Sequence, residues 1–190
     1  MKVVEIHAGE QRDACVAMLC AAIYGKEAGL KPLIVFTGTL AALFENEAAR
    51  VLALVDDKGR ILSASLLVLD MEGKGLDMRL LATPEQKRGE GYARELVERL
   101  TSTTALRVST RDPRLEGFFK TFGFNKWFYA DDGSRIGFNY LSKVTSLGEA
   151  PEPVTFSEEA ILRTFKRDPE IFNDYKTRFV DSLQAFARYS

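Results

Sequence analysis

One histidine, one tryptophan and two cysteines in 190 residues leave little material for several common chemistries. His7 stands alone, so neither a histidine-rich metal site nor a Ser-His-Asp relay has the residues it needs. No metal is therefore expected. Cys15 and Cys20 lie five apart on a predicted helix and point to different faces, which rules out a simple metal pair and makes both core-filling residues. An excess of one charge is also missing. The 26 Lys and Arg against 27 Asp and Glu give a net charge of -1, with no global electrostatic case for nucleic acid or an anionic membrane. No run approaches the roughly 20 apolar residues that cross a bilayer. The segment from Met1 to His7 carries no apolar leader, so a cytoplasmic protein is expected.

What is present is a hydrophobic content of 46%, enough for one substantial core and a small appendage. Val3 to Ile6 reads as a strand. Gln11 to Tyr24 reads as a helix, with Ala14, Cys15, Met18, Leu19 and Ile23 at helical spacing. Leu33 to Phe36 is an apolar run of undecided type, and Leu40 to Asn46 a short helix. Val51 to Val55 and Ile61 to Leu69 form strands joined by the turn Asp56-Asp57-Lys58-Gly59, and Gly73-Lys74-Gly75 turns into a third, Leu76 to Ala82. Helix Tyr92 to Leu100 and strand Leu106 to Ser109 follow. Asp112 and Pro113 cap and open a further helix that Gly123 ends. Phe124 to Tyr129 and Arg135 to Leu141 close a hairpin around Asp131-Asp132-Gly133.

Pro151-Glu152-Pro153 then breaks the chain. Residues 1–143 form the expected main domain, 144–153 a linker and 154–190 a helical extension. Phe156-Ser157-Glu158 with Ile161 reads as a capped, stapled helix start. Asp168-Pro169-Glu170 opens a second helix whose stripe, Ile171, Phe172, Tyr175, Phe179, Leu183 and Phe186, must cover something. Either the chain's own core or a partner, a homodimer included, would serve.

The segment that points to chemistry lies between Ala82 and Leu100: an apolar strand, a basic glycine loop, then an amphipathic helix. Glycines let backbone N–H groups converge on an anion, and the helix adds its positive dipole end. Arg88-Gly89-Glu90-Gly91-Tyr92-Ala93 fits Arg/Gln-x-x-Gly-x-Gly/Ala and so resembles the acyl-CoA diphosphate loop of the GNAT acetyltransferase superfamily. Gln86-Lys87-Arg88-Gly89-Glu90-Gly91 fits the pattern equally well. The first register is preferred, because it sets Leu96 and Val97 where the family's helix carries its apolar pair. Downstream, the stretch from Asp112 to Phe124 resembles the family's Asn-x-x-Ala-x-x-Phe-Tyr-x-x-x-Gly-Phe, and the order of elements is the GNAT order throughout.

The resemblance implies an α+β fold, the GNAT acyl-CoA N-acyltransferase fold, with a central, mostly antiparallel mixed sheet flanked by helices and a C-terminal helical extension. It implies acetyl-CoA as acyl donor and a primary amine, on a small molecule or a protein, as acceptor. The diphosphate would sit on amides of Arg88, Gly89, Glu90, Gly91, Tyr92 and Ala93, and the pantetheine arm would pair with backbone at Leu80 and Ala82. Asp112 stands where the pattern has Asn. Phe119 stands where it has the tyrosine that protonates the leaving thiolate, and a phenyl ring has no proton to give. Tyr92, Tyr129 and Tyr140 are the substitutes to test. Asp77, on the strand before the loop, is the candidate base for the acceptor ammonium, with Asp70, Glu72 and Asp112 as alternatives. A second reading, resting on Phe119 and the apolar tail, is a GNAT-fold module that binds acyl-CoA or a partner without turnover. A dinucleotide-binding fold is a third, opposed by the missing third glycine and the antiparallel strands upstream.

Overall fold

The computed structural model describes residues 1–26 and 29–190. The chain runs β1 (Lys2–Ile6), α1 (Glu10–Tyr24), α2 (Lys31–Gly38), β2 (Ala49–Val55), β3 (Ile61–Leu69), β4 (Leu76–Ala82), α3 (Tyr92–Thr101), β5 (Leu106–Thr110), α4 (Pro113–Lys120), β6 (Phe124–Tyr129), β7 (Arg135–Asn139), α5 (Glu158–Arg167) and α6 (Pro169–Ala185). The expected α+β class and element order hold. Seven strands form one sheet in the order β1-β2-β3-β4-β5-β7-β6, antiparallel except between β4 and β5. The exception follows from connectivity, because a strand that leaves through a helix and returns beside its predecessor must run the same way.

The undecided run Leu33 to Phe36 belongs to α2, which Pro32 opens and which continues as a π-helical turn over Thr39–Phe44. What read as a separate short helix from Leu40 is thus the end of one helical segment. The Asp56–Gly59 turn forms as expected, with Asp56 accepting from the amides of Lys58 and Arg60 at 2.9 Å each.

Two apolar layers sandwich the sheet. On one side α3 and α4 cover Leu67, Met78, Leu106 and Val108 with Leu96, Val97, Leu100 and Phe119. On the other, α1 and α2 lie over Val51, Ala53, Leu66 and Leu80. Every residue of α1 from Asp13 to Cys20 is buried, because α6 roofs its outer face. Both cysteines are therefore in the core, where burial pushes each thiol up to about 12. Most of the stripe on α6 packs inside the chain: Phe172, Tyr175, Phe179 and Phe186 lie on this core, and the Phe179 ring meets Phe36 edge-on at 5.2 Å. Of the two fates left open for this stripe, packing on the chain's own core is the one seen for these residues, while Ile171 and Leu183 stay partly exposed. Arg178 bonds Asp13 at 2.6 Å and Arg188 bonds Glu10 at 2.7 Å, tying α6 and its trailing turn to α1.

The segment leading to α5 lies against the sheet. Asp70 and Pro153 form an antiparallel bridge, Met71 N donates to Glu152 O at 2.8 Å, and Val154 N donates to Leu69 O at 2.9 Å. Residues 150–155 so make a strap over the face that α1 and α2 leave bare. Among the described residues, no helix is long and apolar enough to cross a membrane.

Candidate functional site

Beyond Ala82 the chain bends through Pro84 and a single helical turn, Glu85–Lys87, before α3 starts at Tyr92. Gly89 and Gly91 both adopt φ +83°, a conformation that L side chains resist. Gly91 is the N-cap of α3, and no side chain hydrogen-bonds across that end. The first-turn amides of an α-helix have no partner within it, so the N–H groups here remain available, backed by the helix dipole. A Cβ built at either glycine would meet no atom within 4 Å, so the face above the turn is open. Nearby side chains have partners of their own. Arg88 Nε bonds Thr83 O at 3.3 Å, the Tyr92 hydroxyl donates to Glu90 at 2.9 Å, and the Arg94 guanidinium lies 5.0 Å above the Phe122 ring. Leu96 and Val97 are fully buried beneath.

The strand that feeds this turn parts from its neighbour. β4 and β5 pair only at Leu76 with Leu106 and Asp77 with Arg107; beyond these the strands have no partners in each other. Two residues further along β4, Arg79 is an extra residue opposite β3, because Met78 faces Leu67 while Leu80 faces Leu66. Such a bulge bends its strand and re-aims the backbone. Leu80 and Ala82 stand on this free stretch. Their carbonyls accept from Ser65 Oγ at 2.9 Å and Ser63 Oγ at 3.1 Å, and Thr83 bonds Ser63 at 3.2 Å. These hydroxyls went unnoticed in the sequence. Their signal is two serines on alternate positions of Ile61–Leu69, a strand otherwise wholly apolar.

Asp77 sits at the fork. Its carboxylate is buried and accepts from Arg79 Nε at 2.8 Å, while Arg79 Nη2 reaches Val154 O on the strap at 3.0 Å. A cavity of about 420 Å³ lies beside the bulge, between Asp77, Arg79, Arg107 and Ser109 of the parted strands and Glu152 and Thr155 of the strap. A second, of about 550 Å³, continues past Pro153 under the 141–151 loop and shares Asp77 and Arg107. The alternatives to Asp77 are committed elsewhere. Asp70 accepts from the amides of Glu72 and Lys74, Glu72 pairs with Lys74, and Asp112 caps α4 by accepting from Arg114 N at 2.9 Å. Hydrogen bonds from Arg114 hold the Asp112 carboxyl below its usual range.

Phe119 lies in the core under α3 and α4 with its ring 5.3 Å from Phe124, and lines neither cavity. The three tyrosines named as substitutes are spread apart: Tyr92 is engaged by Glu90, Tyr129 by Glu116, and Tyr140 stands half exposed against Gly123. Burial pushes up the hydroxyl of a fourth tyrosine, Tyr24 at the end of α1. Glu116 was also overlooked. It is buried, paired with Lys120 and Arg135, and held at about 2 by hydrogen bonds from Lys120 first, then Arg135 and Tyr129. That cluster pins the β6–β7 hairpin to α4 and lies away from the fork.

No family model matches the sequence, and no curated protein matches it. Solved structures match its shape. A GNAT-family acetyltransferase from Staphylococcus aureus Mu50 aligns at a TM-score of 0.52 and 10% identity, over 73% of this chain and 97% of that one. A putative GNAT acetyltransferase from Desulfovibrio desulfuricans aligns at 0.50 and 15% identity, over 73% and 97%. An aminoglycoside 6'-acetyltransferase of type Ii aligns at 0.50 and 14% identity, over 73% and 95%.

Proposed function

We propose that this chain, which has the GNAT acyltransferase fold, transfers an acetyl group from acetyl-CoA to a primary amine. The observation that carries the reading is the open, glycine-bent N-terminus of α3 at the mouth of two strands that part after two paired residues. The cofactor's diphosphate fits the amides from Arg88 to Ala93, and its extended arm fits the gap along Leu80 and Ala82. Acetyl transfer needs no resident metal. The amine nitrogen attacks the thioester carbonyl, the new C–N bond forms, and the C–S bond breaks with its electron pair leaving on sulfur. The chain's part is to hold the two reactants in line and to set a backbone N–H of the bulged strand at the developing oxyanion. Asp77 attracts the acceptor ammonium and accepts its first proton, and Arg79 fixes where that carboxylate points; the second N–H proton, lost as the amide forms, passes through solvent to the departing thiolate.

The strap roofs the acceptor side of the fork, which favours a small amine over a lysine held in a folded protein. The thiolate leaves without a phenolic acid at the position the resemblance assigns, since Phe119 has no hydroxyl and is buried in the core. That same observation supports a second reading, an acyl-CoA-binding module without turnover. Calorimetric titration with acetyl-CoA, followed by release of free CoA thiol over an amine panel, separates the two. Binding with amine-dependent release upholds transfer, binding without release on any amine upholds the module, and absence of binding overturns both.

A further inference from the structure

We propose that the acceptor carries a carboxylate as well as the amine, and that Arg107 holds it. The amine rests on the acetyl-transfer reading; the anion rests on the geometry of the fork. Arg107 lies opposite Asp77 on β5, its guanidinium over the Phe138 ring at 5.9 Å and its side chain only 13% exposed. Its Nε and Nη1 are out of water and hydrogen-bonded to nothing. Among the described residues its ionic neighbour is Glu152, 3.7 Å from Nη1, a carboxylate 74% exposed. A buried charged donor left unused is costly, and an acceptor oxygen from a ligand recovers that cost.

The surrounding acids do not fill the role. Asp77 is bonded to Arg79, Asp70 to turn amides, and Glu149 to Thr145 at 2.7 Å. Each therefore has its partner while Arg107 waits for one. The 550 Å³ cavity that Arg107 lines is walled by Leu76, Leu106, Phe138, Val144 and Pro151, and a small turn of the Arg107 side chain brings its buried donors to a ligand there. It shares Asp77, Arg107 and Pro153 with the smaller cavity beside the bulge. A ligand with its carboxylate at Arg107 thus has its amine near Asp77 and its apolar body in the larger cavity. A guanidinium presents its donors in a planar fork that matches the two oxygens of a carboxylate. The chemical class is an apolar amino acid, with Glu152 as the internal carboxylate it displaces.

The test uses the full chain and matched probes: phenylalanine, leucine and tryptophan, each against the amine lacking its carboxylate, titrated by calorimetry without cofactor. At least one amino acid is expected to bind about tenfold or more tightly than its amine, the size of one charged hydrogen bond. Arg107→Met is expected to erase that preference. Glu152→Gln, a change at an exposed side chain that does not threaten folding, is expected to tighten amino-acid binding several-fold by removing the competitor. No carboxylate preference across the three pairs, or a preference that Arg107→Met leaves intact, overturns the proposal. Acetyl-CoA titrated separately keeps the two claims apart: its failure to bind would sink the transfer reading while the carboxylate preference still stood.

Discussion

Gly91→Glu separates the fold of the α3 turn from its use. In the free protein a side chain there has room, because a Cβ meets nothing within 4 Å, so the penalty is the backbone conformation at φ +83°. For a residue with a Cβ that penalty is roughly 1–2 kcal/mol. In a domain of this size it lowers the melting temperature by about 2–8 °C. With a diphosphate on the same amides, the new carboxylate brings a like charge to about 4 Å. Near a protein surface that repulsion is worth about 4 kcal/mol, or roughly 1,000-fold in affinity, less some screening. The assay is calorimetric titration with acetyl-CoA beside a thermal melt. Gly59→Ala supplies the control, since Gly59 sits at φ +78° with open space around it in the β2–β3 turn. It should cost similar stability and no affinity. An affinity for acetyl-CoA within threefold of the parent in Gly91→Glu would refute the reasoning.

Three further perturbations follow from the same contacts. Arg79→Ala strands a buried carboxylate, and urea unfolding should show a loss of about 3 kcal/mol, most of it regained when Asp77→Asn is added. Because the Glu116 carboxyl is held at about 2, below its ordinary 4.5, its contribution to stability is present above 4.5 and drains away as pH falls toward 2. Glu116→Gln should therefore flatten the acid limb of the stability curve in that window and leave the slope at neutral pH unchanged. Phe119→Tyr places a hydroxyl among the Phe118 and Phe124 rings, and should cost about 1–3 kcal/mol in the melt without raising CoA release.

The elements written in local chemistry were legible in the sequence. The Asp56–Gly59 turn, the capped start of α4 at Asp112 and the amphipathic face of α3 each depend on residues within a few positions of one another. What was not legible depends on distant partners. The run from Leu33 to Phe36 is apolar on every side because it is enclosed by α1, α5 and α6, so no periodicity marks it as helix. The buried length of α1 likewise reflects a cover that arrives more than a hundred residues later, where Arg178 meets Asp13. Within the site, the glycine turn and Asp77 could be read from spacing and family resemblance. The bulge at Arg79, the Ser63 and Ser65 hydroxyls and the strap over Arg107 could not, because register and long-range docking leave no pattern in any single segment.

Amide chemical shifts followed during titration with CoA test the central claim most directly. The account predicts saturable shifts at Gly89, Gly91, Tyr92 and Ala93 and along the parted stretches of β4 and β5. Saturable binding that leaves those amides unmoved, or no binding at all, would contradict it.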